Sequence, residues 1–242
     1  MWLSLIALGF VPLGVAAQEC GFPSSVDSEE ITSQQDLEAL QNDCTILLSS
    51  YRVTHEFSGP FVLPGIVNIS TLSAGTAGSP EPFDVPLFEM PDLEYAKGWA
   101  TLYIPSHIDV LEMPALEASG SLTLRGNFTD VSFPALHTVS EGDVVIMNSP
   151  VAIEPETSMN ISLPALNSSD SIYISGRVSR ITLPELTNLA SPWMTGSGSN
   201  FSLWGETIEL DLPKLHTVDG SIYFEGNITS FVVPCHTWRR MD

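Results

Sequence analysis

The chain has 242 residues, 43% of them hydrophobic, with 29 acidic against 8 basic side chains and a formal net charge of −21. That apolar content supplies a core and excludes an intrinsically disordered chain. The acidic excess excludes nucleic acid, whose phosphates need clustered Lys and Arg, and disfavours an anionic membrane surface; the one adjacent basic pair is Arg239-Arg240.

The N-terminus reads as an address. Trp2 to Val15 is apolar, and Val15-Ala16-Ala17 offers small side chains at −3 and −1, so residues 1–17 are expected to be a signal peptide cut after Ala17. The run is too short for the roughly 20 apolar residues of a membrane helix, and no second stretch of spanning length follows. In the oxidising compartment this implies, the near pair Cys20 and Cys44 should form a disulfide, leaving Cys235 as the odd cysteine. Between the pair, Ser33-Gln34-Gln35-Asp36 resembles a helix start, with Leu37 and Leu40 on one face. Residues 18–44 are therefore expected to form a disulfide-stapled cap.

From residue 45 to 235 the sequence repeats. An apolar-Pro-x-Leu element occurs at Met90-Pro91-Asp92-Leu93, Met113-Pro114-Ala115-Leu116, Phe133-Pro134-Ala135-Leu136 and Leu163-Pro164-Ala165-Leu166. It returns at Leu183-Pro184-Glu185-Leu186 and Leu212-Pro213-Lys214-Leu215, and falters at Val233-Pro234-Cys235. Leu63-Pro64-Gly65-Ile66 is an earlier copy. From Pro91 onward the prolines lie 23, 20, 30, 20, 29 and 21 residues apart. Twelve positions before Pro114, Pro134, Pro184, Pro213 and Pro234 stand Leu102, Leu122, Ile172, Phe201 and Ile222, all apolar. Two positions later come Ile104, Leu124, Ile174, Leu203 and Phe224.

Alternation with a period of two sends Leu122 and Leu124 inward and Ser121, Thr123 and Arg125 outward. Gly126, Gly176, Gly205 and Gly226 suit a corner, and proline, lacking an N–H, ends the second short strand. The expected fold is mainly β, a solenoid of coils each holding two or three short strands. Ser149 to Thr157 and Ser191 to Ser199, rich in Pro, Gly, Ser and Thr, read as loops inserted at corners. Residues 236–242 break the pattern and read as an irregular tail. A solenoid needs a cap at each end, so the expectation is a chain shorter than the intact array.

The early Cys20…Cys44 pair around a small helix, the Gly-Ser-Ile-x-x-x-Gly-Asn-x-Thr strand at 220–229 and the repeated apolar-Pro-x-Leu elements together resemble the fungal cell-wall organisation proteins. These are GPI-anchored relatives of the sporulation-specific proteins, within the receptor L-domain superfamily. The resemblance covers residues 18–235. It implies a right-handed, leucine-rich-repeat-like β-solenoid at the cell surface, with a role in building or maintaining the wall and no agreed catalytic residues. Members usually continue into a Ser/Thr-rich stalk and an apolar GPI signal. This sequence carries neither, which leaves release into the medium and a chain cut short both open.

Six of the nine asparagines sit in Asn-x-Ser/Thr sequons: Asn68, Asn127, Asn160, Asn167, Asn200 and Asn227. They are the candidate glycan acceptors, and several of them are expected to be modified in a secreted protein. Asn127 and Asn227 share a corner slot that His107, Arg177 and Glu206 fill elsewhere, and those charges argue against a buried asparagine ladder there. The outward centre of the strand holds Tyr103, Thr123, Tyr173, Ser202 and Tyr223. Its three tyrosines are candidates for stacking on wall polysaccharide, although β-propensity alone accounts for them.

An enzyme would need paired carboxylates or a comparable constellation. Glu209 and Asp211 share a strand face and Asp109 lies in a comparable stretch, but 29 acidic residues produce such pairs without function. His137 and His216 repeat a Leu-His-Thr-Val context that marks a turn. No metal cluster, nucleophile elbow or phosphate loop appears in the sequence. The expectation is a non-catalytic protein without cofactor, whose partners are wall polysaccharide or surface proteins. The alternative is a recognition module for a wall glycan or surface protein.

Overall fold

The computed structural model describes residues 18–21, 28–75, 85–148, 158–189, 199–218 and 220–232. The expected leader at 1–17, the corner loops over 149–157 and 191–198, Cys235 and the tail at 236–242 lie outside the described residues.

The protein is mainly β, with one helix among the described residues. In chain order the elements are β1 (Glu19–Cys20), β2 (Glu29–Ile31), α1 (Gln34–Asp43), β3 (Ile46–Val53), β4 (Phe61–Val62), β5 (Asn68–Ala74) and β6 (Phe88–Glu89). There follow β7 (Tyr95–Glu112), β8 (Ala118–Ser132), β9 (Thr138–Asn148), β10 (Met159–Ser162) and β11 (Ser168–Ser175). The last are β12 (Val178–Thr182), β13 (Asn188–Leu189), β14 (Ser199–Asp211), β15 (Thr217–Val218) and β16 (Gly220–Val232). The strands join one 16-stranded sheet, and β7, β8, β9, β11, β14 and β16 pair in parallel in that succession.

The proline element is a tight turn. In each copy the leucine N–H donates to the carbonyl three residues back, as Leu116 to Met113 at 3.3 Å, Leu136 to Phe133 at 3.3 Å and Leu166 to Leu163 at 3.2 Å. Proline thus occupies the second position of a β-turn, where its fixed φ is already correct and its missing N–H costs nothing. Both flanking apolar side chains go inward: Phe133, Leu136, Leu163, Leu166, Leu183 and Leu186 are all 0% exposed. The next residue binds the preceding copy through its backbone, Glu117 N–H to Glu94 O, His137 to Glu117, Asn167 to His137 and Thr187 to Asn167, at 2.8 to 2.9 Å.

Three inward columns run across the sheet. Leu72, Ala100, Leu122, Val144 and Ile172 are successive register partners. Leu124, Ile146 and Ile174 form a second column, and Leu111, Val131, Ile161, Ile181 and Leu210 a third. All of these are buried, and each large aliphatic side chain contributes about 1.5–3 kcal/mol by leaving water. Nearer the N-terminus the core turns aromatic: Phe61 stacks on Phe88 with ring centroids 4.4 Å apart, and Phe57 meets Phe61 edge-on at 5.7 Å.

The register corrects one sequence inference. Ala100, not Leu102, stands opposite Leu122, and Leu102 stands opposite Leu124. The cause is a bulge in β7: Ile104 pairs with Gly126 and His107 with Asn127, so Pro105 and Ser106 have no partners in β8. Two extra residues before Pro114 displace the twelve-residue count by two.

The N-terminal cap is built locally. Ser33 caps α1, its Oγ accepting from the Asp36 N–H at 3.3 Å, while Asp36 Oδ2 accepts from the backbone N–H groups of Ser33 at 3.0 Å and Thr32 at 2.9 Å. These bonds hold the Asp36 carboxyl below its usual range, the Thr32 backbone bond contributing most. Leu37 is buried against the core, and the Cys20–Cys44 disulfide, with Cα atoms 5.6 Å apart, ties β1 to the end of the helix.

Candidate functional site

Two surfaces carry the residues singled out in the sequence: the outward face of the sheet and the edge of side chains around the second short strand and the proline turn.

In the sheet Thr101, Thr123, Val145, Tyr173, Ser202 and Tyr223 are successive register partners. Tyr173 and Tyr223 therefore share a row, separated by Ser202. Tyr103 does not join them. The β7 bulge moves it to another register row, where Tyr103, Arg125, Met147, Ser175, Trp204 and Glu225 follow one another. Trp204 is the aromatic position the sequence reading left out, and counting back from Pro213 with an eye to both rows would have found it. Val145, Met147 and Tyr173 are half-buried, the state expected of side chains standing shoulder to shoulder on a parallel sheet.

The sequon asparagines fall in different environments. Asn68 is half-buried at the start of β5. Asn127 is half-buried in β8 with its Oδ1 enclosed and without a hydrogen bond; its slot is thus less open than the charges in equivalent positions suggested. Asn160, half-buried in β10, donates from Nδ2 to Asp130 Oδ1 at 2.9 Å and accepts on Oδ1 from Ser179 Oγ at 2.7 Å. Asn167 is exposed, and its Oδ1 accepts from Thr187 Oγ1 at 3.0 Å. Asn200 and Asn227 lie in β14 and β16, where Asn200 stands opposite Ser221.

A non-sequon asparagine does what the sequence reading had looked for at the corner. Asn148 is 3% exposed, and its amide bridges the Phe128 backbone, Oδ1 accepting from the N–H at 3.3 Å and Nδ2 donating to the carbonyl at 3.4 Å. Its carbonyl also explains Gly176, whose φ is +111° and where a Cβ would come within 2.3 Å of Asn148 O. The lone Asn148-Ser-Pro context gave no signal beyond its place at a strand end.

Glu209 and Asp211 both lie in β14, two residues apart, but Asp109 is not brought to them. Asp109 lies in β7 and Glu209 in β14, with β8, β10 and β12 between them in the sheet. At about 4.8 Å per strand that is roughly 19 Å, beyond the 5–10 Å of a glycosidase pair. Glu209 instead forms a two-pronged ion pair with Arg180, from Nη2 at 2.7 Å and Nε at 3.1 Å. His137 and His216 are exposed turn residues, and His216 Nδ1 lies 2.8 Å from Thr187 O. A groove of about 540 Å³ near β6 and β7 is lined by Leu87, Glu89, Asp109, Val110 and Glu112 among prolines. Among the described residues there is no metal-ligating cluster, and no helix is long and apolar enough to cross a membrane.

Neighbouring charges are matched elsewhere too. Lys214 Nζ pairs with Glu185 in the equivalent turn position one repeat earlier, and Arg52 lies 3.7 Å from Glu30. Tyr95, 40% exposed, donates to Glu117 Oε2 at 2.7 Å, which raises the phenol above its usual range. The exposed ion pairs Lys214–Glu185 and Arg52–Glu30 contribute about 0.2–1 kcal/mol each.

No protein-family model, no curated protein and no solved structure matches the chain.

Proposed function

We propose that the chain is a secreted, N-glycosylated and non-catalytic cell-surface protein that contributes to a fungal-type cell wall. In this reading the sheet is the wall of a right-handed β-solenoid of leucine-rich-repeat-like, receptor L-domain type. The observation that carries it is the coupling of two repeats. The apolar-Pro-x-Leu turns recur with the same hydrogen bond, and the strands between them hold one parallel register from β7 to β16. An array of that kind presents a long, stiff surface and has no need of a reaction centre. The acidic surface, the disulfide and the sequons agree with an extracellular address. Cofactor chemistry plays no part in the proposal.

A second reading, a recognition module for a wall glycan or surface protein, is favoured by one feature: Tyr173 and Tyr223 in a single register row, with Trp204 in the adjoining one. Aromatic faces at that spacing suit sugar rings. A polysaccharide pull-down with the glycosylated chain and its Tyr173→Ala/Tyr223→Ala variant separates the two readings. Saturable binding lost in the variant supports recognition, and absence of binding leaves the structural role. Loss-of-function cells with ordinary resistance to wall stress would remove both.

A further inference from the structure

We infer that the neighbouring sequons at Asn160 and Asn167 have opposite roles: Asn167 carries a glycan, and Asn160 is an unmodified structural amide. The inference rests on the secreted reading above and sharpens it.

Asn160 stands in the middle of a polar row that crosses the sheet. Its register partners are Asp130 on one side and Arg180 on the other, and Arg180 in turn stands opposite Glu209. The side chains follow the backbone order. Asp130 Oδ1 accepts from Asn160 Nδ2 at 2.9 Å, Ser179 Oγ donates to Asn160 Oδ1 at 2.7 Å, and Arg180 closes on Glu209 at 2.7 Å. Both ends of the Asn160 amide are thus committed, each to a different adjacent strand, in a half-buried site. An amide in that position satisfies a carboxylate on one side and a hydroxyl on the other.

Asn167 lies immediately after the Leu163-Pro164-Ala165-Leu166 turn and is exposed. Its backbone N–H donates to His137 O at 2.9 Å, and its carbonyl accepts from Thr187 N–H at 2.9 Å. The side-chain Oδ1 accepts from Thr187 Oγ1 at 3.0 Å, while Nδ2 makes no hydrogen bond among the described residues. Of its neighbours in this row, His137 is exposed and Thr187 half-buried.

Glycan transfer forms a bond from Nδ2 to the anomeric carbon of a polyprenyl-diphosphate-linked sugar. One N–H proton is lost and the lipid diphosphate leaves with the electron pair of the broken C–O bond. At Asn167 this consumes no existing hydrogen bond and keeps the Oδ1 contact to Thr187. At Asn160 it removes a donor from the amide that serves Asp130 and puts a sugar between strands that pair about 4.8 Å apart. Folding therefore selects against chains modified at Asn160, because the sugar crowds the one N–H left to serve a half-buried carboxylate.

The test is glycopeptide mapping of the full chain secreted from a eukaryotic host, with Ser162→Ala as the matched variant. Ser162→Ala destroys the Asn160 sequon and leaves the amide in place. The expected result is occupied Asn167, unmodified Asn160, and an identical glycan load in Ser162→Ala. Occupancy of Asn160 equal to that of Asn167 would overturn the inference. Glycans at other sequons with none at Asn167 would overturn it while sparing the secreted reading, whereas a chain with no glycan at all would overturn both. Thermal unfolding of the full chain made without glycans gives a second readout. Asn160→Asp, which sets a carboxylate against Asp130, should lower Tm by about 2–6 °C near neutral pH, with the loss shrinking in acid, and Asn167→Asp should leave Tm unchanged. An Asn160→Asp chain with full Tm would overturn the structural role.

Discussion

At Gly120 a Cβ would come within 2.5 Å of Gly98 O and 2.7 Å of Lys97 O, both backbone atoms that cannot step aside. Gly98 and Gly142 meet the same crowding at 2.8 and 3.0 Å. Glycine recurs here because successive strands approach closely at the bulge that separates Ser119 from Leu122. Gly65 is the contrasting case, with φ +81° and nothing within 4 Å of a Cβ. Gly120→Ala is expected to destabilise by about 1–3 kcal/mol through overpacking, and Gly65→Ala by about 1 kcal/mol through backbone strain alone. Urea titration of both variants checks the order, and equal losses would contradict it. Tyr51 offers a residue-scale pH prediction. It is 2% exposed, and burial, reinforced by the nearby Glu29 carboxylate, pushes its phenol up to about 12 from an ordinary 10.0. An acid whose folded pKa is raised favours the native state in its neutral form. That contribution is complete below the unfolded pKa and disappears as pH rises through the folded one. The stability difference between the native chain and Tyr51→Phe should therefore stay constant below pH 10 and shift toward the variant between pH 10 and about 12. A difference that does not change across that window would refute the assignment.

Elements were legible where one residue type has one physical use. Proline after an apolar residue, with leucine two positions later, announced the turns, because proline fixes φ and the apolar side chains at the two ends of the turn have only the core to enter. Ser33 and Asp36 announced the start of α1 for the same kind of reason, each satisfying an N–H that the helix cannot. The register of β7 was not legible. Pro105 marks an irregularity in sequence, but only the pairing of Ile104 with Gly126 and of His107 with Asn127 shows that two residues bulge out and shift the count. That slip carried Tyr103 off the row it had been given. The Asn160 row was equally hidden, since a sequon looks the same whether its amide faces solvent or an aspartate thirty residues earlier in the chain. The cap gives the element-scale prediction. A disulfide across a sequence separation of 24 should add about 3 kcal/mol by limiting the unfolded chain. Cys44→Ala is expected to lose roughly that amount, read as a lowered denaturant midpoint with no change in the spectrum of the native sheet. A loss near zero would mean that α1 and β1 hold without the staple.

For the whole molecule, the columns of Leu, Ile and Val bind each repeat to its two neighbours, and long-range order comes from repetition. Positions off these columns are then free to vary, and they hold the ion pairs and the exposed sequon at Asn167. This division places the proposed function on the surface and the fold in the turns and columns. It also explains why composition and period spoke clearly about architecture while the sites had to await side-chain geometry. The most direct test of the proposal is to fractionate the source cells and follow the protein by mass before and after enzymatic removal of N-glycans. The account predicts recovery from the wall or the medium, as a species that begins after Ala17 and falls in mass on deglycosylation. Recovery from the cell interior, with the leader intact and the mass unchanged by deglycosylation, would contradict it.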